Sequence, residues 1–310
     1  MARKTHLDES FLREVDELLK EKGQLIFEGP PGSGKTFVAE HFAYWFTGQS
    51  IDGGPNDHVE IVQFHQSYGY EDFVQGIRPE TNAAGQLTYN VRDGIFLDLC
   101  RRAKDRPEEK FVLLIDEINR GNISRIFGEL LLLLEYRTKR ARLPYAPASE
   151  PYISIPKNLF IVGTMNSADR SLAQVDYALR RRFYFVRFMP VENNEATVLA
   201  RWLQAQHLDN PVRQRVLARI VALNRKVSEH LSPDFQIGHS YFMNANVGDP
   251  EGFDRVWTRA IQPLLEEYFH HHRERVSILA EIRALVHNAA PEAIGEDEPA
   301  NDVSEGAMAG

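Results

Sequence analysis

The stretch Gly29-Pro30-Pro31-Gly32-Ser33-Gly34-Lys35-Thr36 constrains this chain more than any other. It fits G-x-x-x-x-G-K-[ST], the phosphate-cradling P-loop. The apolar run Gln24-Leu25-Ile26-Phe27 before it reads as a strand, and Phe37 to Phe46 after it reads as a helix. Strand, glycine-rich turn and helix are the context the motif requires. The glycines let the backbone curl until several N–H groups aim at one phosphate. The helix N-terminus adds positive potential there. Nucleotide contacts are expected from Gly29, Pro30, Pro31, Gly32, Ser33, Gly34, Lys35, Thr36 and the following Phe37. Lys35 would reach the β- and γ-phosphates, and the Thr36 hydroxyl would ligate Mg²⁺.

A chain of 310 residues allows one large domain or two ordinary ones. Hydrophobic residues at 43% and charged residues at 26% describe a globular protein. Apolar stretches such as Leu130 to Leu134 are too short to span a bilayer, and the N-terminus lacks an apolar signal core. No membrane partner is expected. The single cysteine, Cys100, rules out an intrachain disulfide and fits a reducing cytoplasm. Its apolar neighbours mark it as a buried structural thiol. The net charge of −8 is uneven, because residues 289–310 hold six acids and no Lys or Arg, leaving −2 for residues 1–288. A near-neutral body argues against nucleic-acid binding by bulk charge, though not against a local basic rim.

Along the chain, residues 8–22 carry apolar side chains at helical spacing, and Gly23 ends that helix. Val59 to Phe64 reads as a second strand. The polar, aromatic segment His65 to Phe73 follows its C-terminal end, the side that faces ligand in an open α/β sheet. Residues 78–94 read as a surface hairpin and Ile95 to Lys104 as a helix. Phe111 to Ile115 are five consecutive apolar residues, as in a strand buried on both faces of a parallel sheet. The pair Asp116-Glu117 ends it, as in a Walker B site. Asp116 would hold Mg²⁺ and Glu117 would position or deprotonate the attacking water. Ser124 is expected to cap a helix running to about Arg137, apolar around most of its girth at Leu130 to Leu134. Residues 138–157 form a proline-rich loop with extended pieces. Leu159 to Thr164 reads as a fourth strand ending in Met165-Asn166-Ser167-Ala168-Asp169-Arg170-Ser171. Asp176 to Phe183 reads as a short helix with three successive arginines, and Tyr184 to Phe188 as a fifth strand. From Val191 the pattern is helical. The expected division is a parallel-sheet αβα core over 1–189, a helical lid over 190–288 and a disordered acidic tail over 289–310.

Four strings resemble McrB, the AAA+ motor subunit of McrBC-type modification-dependent restriction systems. They are Phe64-His65-Gln66-Ser67-Tyr68 with Tyr70-Glu71-Asp72-Phe73, Ile115-Asp116-Glu117-Ile118-Asn119-Arg120, Met165 to Ser171, and Ile237-Gly238-His239-Ser240-Tyr241-Phe242. The resemblance covers roughly residues 20–270. It implies an α/β AAA+ fold with a small helical lid and a homo-oligomeric ring, a hexamer, with active sites between subunits. It implies GTP as the preferred nucleotide, Mg²⁺, and a McrC-like partner that stimulates hydrolysis and carries the nuclease. Asn166 would be the sensor at the γ-phosphate of its own site. Arg120, Asp176 and Arg182 would act on the neighbour's nucleotide, with Arg181 as the rival for the finger.

The sequence departs from that pattern in two places. Only one short helix precedes the motor, so DNA would be read through a partner or a missing domain. No typical sensor-2 arginine stands in the lid, where His239 and Ser240 occupy the corresponding place. The residues alone leave GTP and ATP open, since Asn224-Arg225-Lys226-Val227 does not fit the N-K-x-D string that reads guanine. The alternative function is a MoxR-like ATPase that remodels a protein client.

Overall fold

The computed structural model describes residues 1–53, 56–83, 85–169, 177–244 and 246–289. In chain order its strands are β1 (Gln24–Gly29), β2 (Val59–Gln63), β3 (Gln75–Thr81), β4 (Leu87–Asp93), β5 (Phe111–Asp116), β6 (Ala141–Arg142), β7 (Tyr152–Ile153), β8 (Leu159–Asn166) and β9 (Tyr184–Arg187). Five of them form one sheet in the order β2-β5-β8-β1-β9, and all its pairings are parallel. Burial follows position in the sheet. The inner strand β1 is buried at every residue and β5 at all but its last, whereas the edge strand β2 buries only Val59 and Val62. The α/β parallel-sheet fold expected from the sequence is therefore present.

Register sets the site. Gly29 of β1 pairs with Asn166 of β8, and Gln63 of β2 pairs with Asp116 of β5. The C-terminal ends of four neighbouring strands thus meet at one edge. Apolar clusters cover both faces of the sheet. One includes Phe73, Phe96, Phe111, Phe127 and Leu133, the other Leu19, Phe27, Phe42 and Phe188. A third cluster lies among the helices Thr197–Ala205, Asn210–His230, Pro250–Val256 and Arg275–Asn288.

Two local expectations change. The helix expected from Ser124 to Arg137 is two pieces, Ile123–Phe127 and Leu130–Glu135. Asn122, rather than Ser124, supplies the cap, its side chain accepting from the Arg125 N–H. Gly128 breaks the run at positive φ, and a Cβ there would lie 3.0 Å from the Tyr70 ring. The leucines bury one face only. Leu130, Leu133 and Leu134 are inside, and Leu132 is 43% exposed. The surface hairpin exists as β3 and β4 and begins at Gln75. Within the proline-rich loop, β6 and β7 pair antiparallel. Among the described residues no helix is long and apolar enough to cross a membrane. The acidic tail from Ala290 onward lies outside the described residues.

Candidate nucleotide site

The P-loop turns tightly between β1 and the helix Lys35–Thr47. Gly32 and Gly34 have φ of 75° and 81°, a region that side chains rarely adopt. The Ser33 hydroxyl donates to the Pro30 carbonyl at 2.9 Å, and the Lys35 ammonium donates to the same carbonyl at 2.8 Å. Lys35 is buried, and burial draws its pKa down to about 8 against the pull of Glu117, Asp116 and Asp169. Phe37, by contrast, is half exposed and packs on His41.

The β5 end faces this turn. The Thr36 hydroxyl donates to Asp116 Oδ1 at 2.7 Å. Two hard oxygen donors at that spacing, beside a phosphate cradle, fit Mg²⁺, which binds through few protein oxygens plus phosphate. Asp116 Oδ1 also accepts from the Thr164 hydroxyl at 2.6 Å, and that hydroxyl accepts from the Glu117 N–H at 3.1 Å. Thr164 therefore joins both acids to β8. In the sequence Thr164 reads only as the end of an apolar strand. A hydroxyl two residues before Asn166, on the same strand face, is the signal that could have found it.

Glu117 sits in the left-handed region, with φ 53° and ψ 46°, which is uncommon for a residue with a Cβ. One carboxylate oxygen accepts from the Asn166 amide at 2.6 Å and the other from Arg120 Nε at 3.1 Å. Burial raises its pKa, with Arg120 acting the other way. Arg120, which the resemblance implies acts on a neighbour, lies in this chain against its own Glu117 and against Asp169.

The helical region closes over the turn. A Cβ on Gly238 would come within 2.0 Å of the Gly32 carbonyl carbon, so only glycine fits there. The Ser240 N–H donates to the Gly32 carbonyl at 3.0 Å. His239 is buried beside Gly34, its Nδ1 without a hydrogen-bond partner. Burial and the Lys35 charge lower its pKa to about 4. Asn224, fully buried, holds this segment by donating to the Ile237 carbonyl at 3.1 Å and accepting its N–H at 2.6 Å. Its failure to fit a guanine-reading string thus has a structural counterpart, for it clamps the lid segment.

The arginines separate. Arg182 is 15% exposed, donates to the Leu131 carbonyl at 2.7 Å and pairs with Glu135 at 2.8 Å. Arg181 is 73% exposed and pairs with the other Glu135 oxygen at 2.9 Å. Asp176 lies outside the described residues.

The family model for the AAA domain (dynein-related subfamily) matches residues 24–183. The chain belongs to the AAA family. The model for the McrB alpha-helical lid domain matches residues 215–277. The chain is 39% identical over 279 residues to the type IV methyl-directed restriction enzyme EcoKMcrB subunit of Escherichia coli, covering 85% of this chain and 58% of that one. It is 26% identical over 195 residues to the type II restriction enzyme BsuMI component YdiS of Bacillus subtilis, covering 52% and 55%. Neuron navigator 2 of Homo sapiens is 23% identical over 274 residues, covering 83% of this chain and 9% of that protein. The chain spans little more than half the length of the two restriction subunits. The McrB-like AAA+ NTPase resemblance drawn from the four strings holds, and the αβα core and helical lid are those of an NTP-hydrolysing P-loop enzyme.

Proposed function

We propose that this AAA+ enzyme hydrolyses GTP with Mg²⁺ in a ring of identical subunits, and drives DNA translocation for restriction with a McrC-like nuclease partner. The observation that carries the chemistry is the Glu117–Asn166 pair beside the P-loop. Lys35 and the P-loop N–H groups bind the phosphates, with Lys35 leaving the Pro30 carbonyl for a phosphate oxygen. Thr36 and Asp116 would hold Mg²⁺, which supplies charge neutralisation at the β- and γ-phosphates. Glu117 takes the proton of the attacking water and Asn166 fixes its carboxylate. His239 faces the phosphates from the lid. The restriction roles of the two bacterial relatives support the motor reading, and the McrB lid match disfavours a MoxR-like client remodeller.

The base would enter the cavity of about 180 Å³ behind Ser33 and His239, lined also by Asp8, Glu192, Glu195 and Arg201. Asp8 is engaged there by Arg201, and the choice of GTP over ATP rests on the resemblance of the four strings to McrB. For the finger we assign Arg181 over Arg182, because Arg182 is held within its own chain and Arg181 is exposed. A finger supplied in trans contributes about 10³–10⁵ in rate. Assembly would have to turn Arg120 away from Glu117 for it to act on a neighbour. The deciding experiment is hydrolysis of GTP against ATP, with and without the nuclease partner. Equal turnover of both, unmoved by the partner, removes this reading.

A further inference from the structure

The outward face of the β6–β7 arm takes no part in the nucleotide chemistry. Ala141 pairs with Ile153 and both are buried, while Arg142 pairs with Tyr152 and both face outward. Arg140, directly before β6, is exposed as well. Lys139 lies 4.2 Å over the Tyr136 ring. Tyr136, Tyr145 and Tyr152 are 45%, 38% and 54% exposed. Arg140 and Arg142 are exposed and make no ion pair among the described residues. Between Tyr136 and Tyr152 the sole acid is Glu150. In a body whose charge over residues 1–288 is −2, this is a local concentration of cations interleaved with rings.

The arm stands away from the P-loop. Arg137, at its base, donates to the Gly23 and Leu159 carbonyls, at the N-terminal ends of β1 and β8. The phosphate site lies at the opposite ends of those strands. Glu135, directly before Tyr136, holds Arg181 and Arg182 at the same end of the sheet as the arm.

Cations spaced among exposed rings match a single nucleic-acid strand. Its phosphates pair with Arg and Lys, and its unstacked bases lie on aromatic faces. A duplex keeps its bases stacked inside and would leave the tyrosines unused. The similarity to restriction subunits favours DNA as the polymer. We propose that the β6–β7 arm is a single-stranded DNA contact of the motor itself, with Lys139, Arg140 and Arg142 on phosphates and Tyr136, Tyr145 and Tyr152 as stacking surfaces.

The test is fluorescence anisotropy of a labelled mixed-sequence DNA 20-mer with the full chain and no nucleotide, so its outcome is independent of the hydrolysis reading. The wild type is expected to bind with an affinity that falls as salt rises. The double variant Arg140→Glu/Arg142→Glu is expected to bind at least about tenfold more weakly. Its log–log salt slope should be shallower by roughly 1.4, two phosphate contacts at about 0.7 each. Tyr152→Ala should weaken binding about tenfold and Tyr152→Phe should restore it, since a stack needs the ring and not the hydroxyl. Hydrolysis without DNA, unchanged in these variants, reports that they fold. No binding by the wild type at low salt overturns the proposal. So does equal binding by the charge-reversed variant, or tighter binding of the duplex or of RNA of the same sequence.

Discussion

Asn166 donates its side-chain amide to a Glu117 carboxylate oxygen at 2.6 Å, bridging the ends of β8 and β5. The bond fixes the carboxylate that burial makes more basic. Glu117→Gln is expected to bind nucleotide normally and hydrolyse it at least about 10²-fold more slowly. Asn166→Ala should move the rate in the same direction. The double variant should be little worse than the more severe single one, because residues acting as a unit are not additive. Single-turnover phosphate release measures all three. Near-normal turnover in Glu117→Gln removes the base assignment.

Thr164 is 2% exposed and bonds both Asp116 and the Glu117 N–H. Valine keeps its shape and removes the hydroxyl. Thr164→Val is expected to raise the Mg²⁺ concentration needed for half-maximal hydrolysis by about 10–100-fold, as loss of a partner that orients a metal ligand does elsewhere. A magnesium titration at saturating nucleotide reads this. An unchanged midpoint would make Thr164 a packing residue only.

The two arginines on Glu135 are expected to fail differently. Arg181→Ala should lose about 10³-fold or more in hydrolysis while its unfolding midpoint stays close to wild type. Arg182→Ala should lower the midpoint, because it leaves a largely buried Glu135 partner short of a charge. Mixing Arg181→Ala subunits with Lys35→Ala subunits should restore part of the activity, since both lesions then coincide at one kind of shared site and leave the other kind intact. No recovery counts against a finger acting in trans.

His239 ties stability to pH. Its folded pKa of about 4 lies below the ordinary value of 6.5. Between those values the unfolded chain binds the proton and the folded chain does not, so stability falls as the medium is acidified. From pH 7 to pH 5 this group alone should remove about 2 kcal/mol. Urea unfolding at both pH values checks it. His239→Leu should lose less between them than the wild type, and an identical loss would show that His239 titrates normally in the fold.

The sequence by itself determined the P-loop, the Walker B acids, Asn166 and the order of the sheet strands along the chain. Each of these is local, set by a glycine pattern, an apolar run or a polar residue ending one, and such signals need no knowledge of what lies across the fold. Tertiary structure alone decided the rest. Thr164 becomes part of the site because β8 lies beside β5. Gly128 breaks a leucine-rich helix by turning to positive φ where the Tyr70 ring packs against it. In the chain Arg182 reads as the finger and Arg181 as its rival, and the two differ in the fold because Arg182 reaches inward to the Leu131 carbonyl while Arg181 stays in solvent. Contacts across long sequence separations have no periodic trace, so side-chain environment, unlike strand and loop identity, emerged only once the chain was folded.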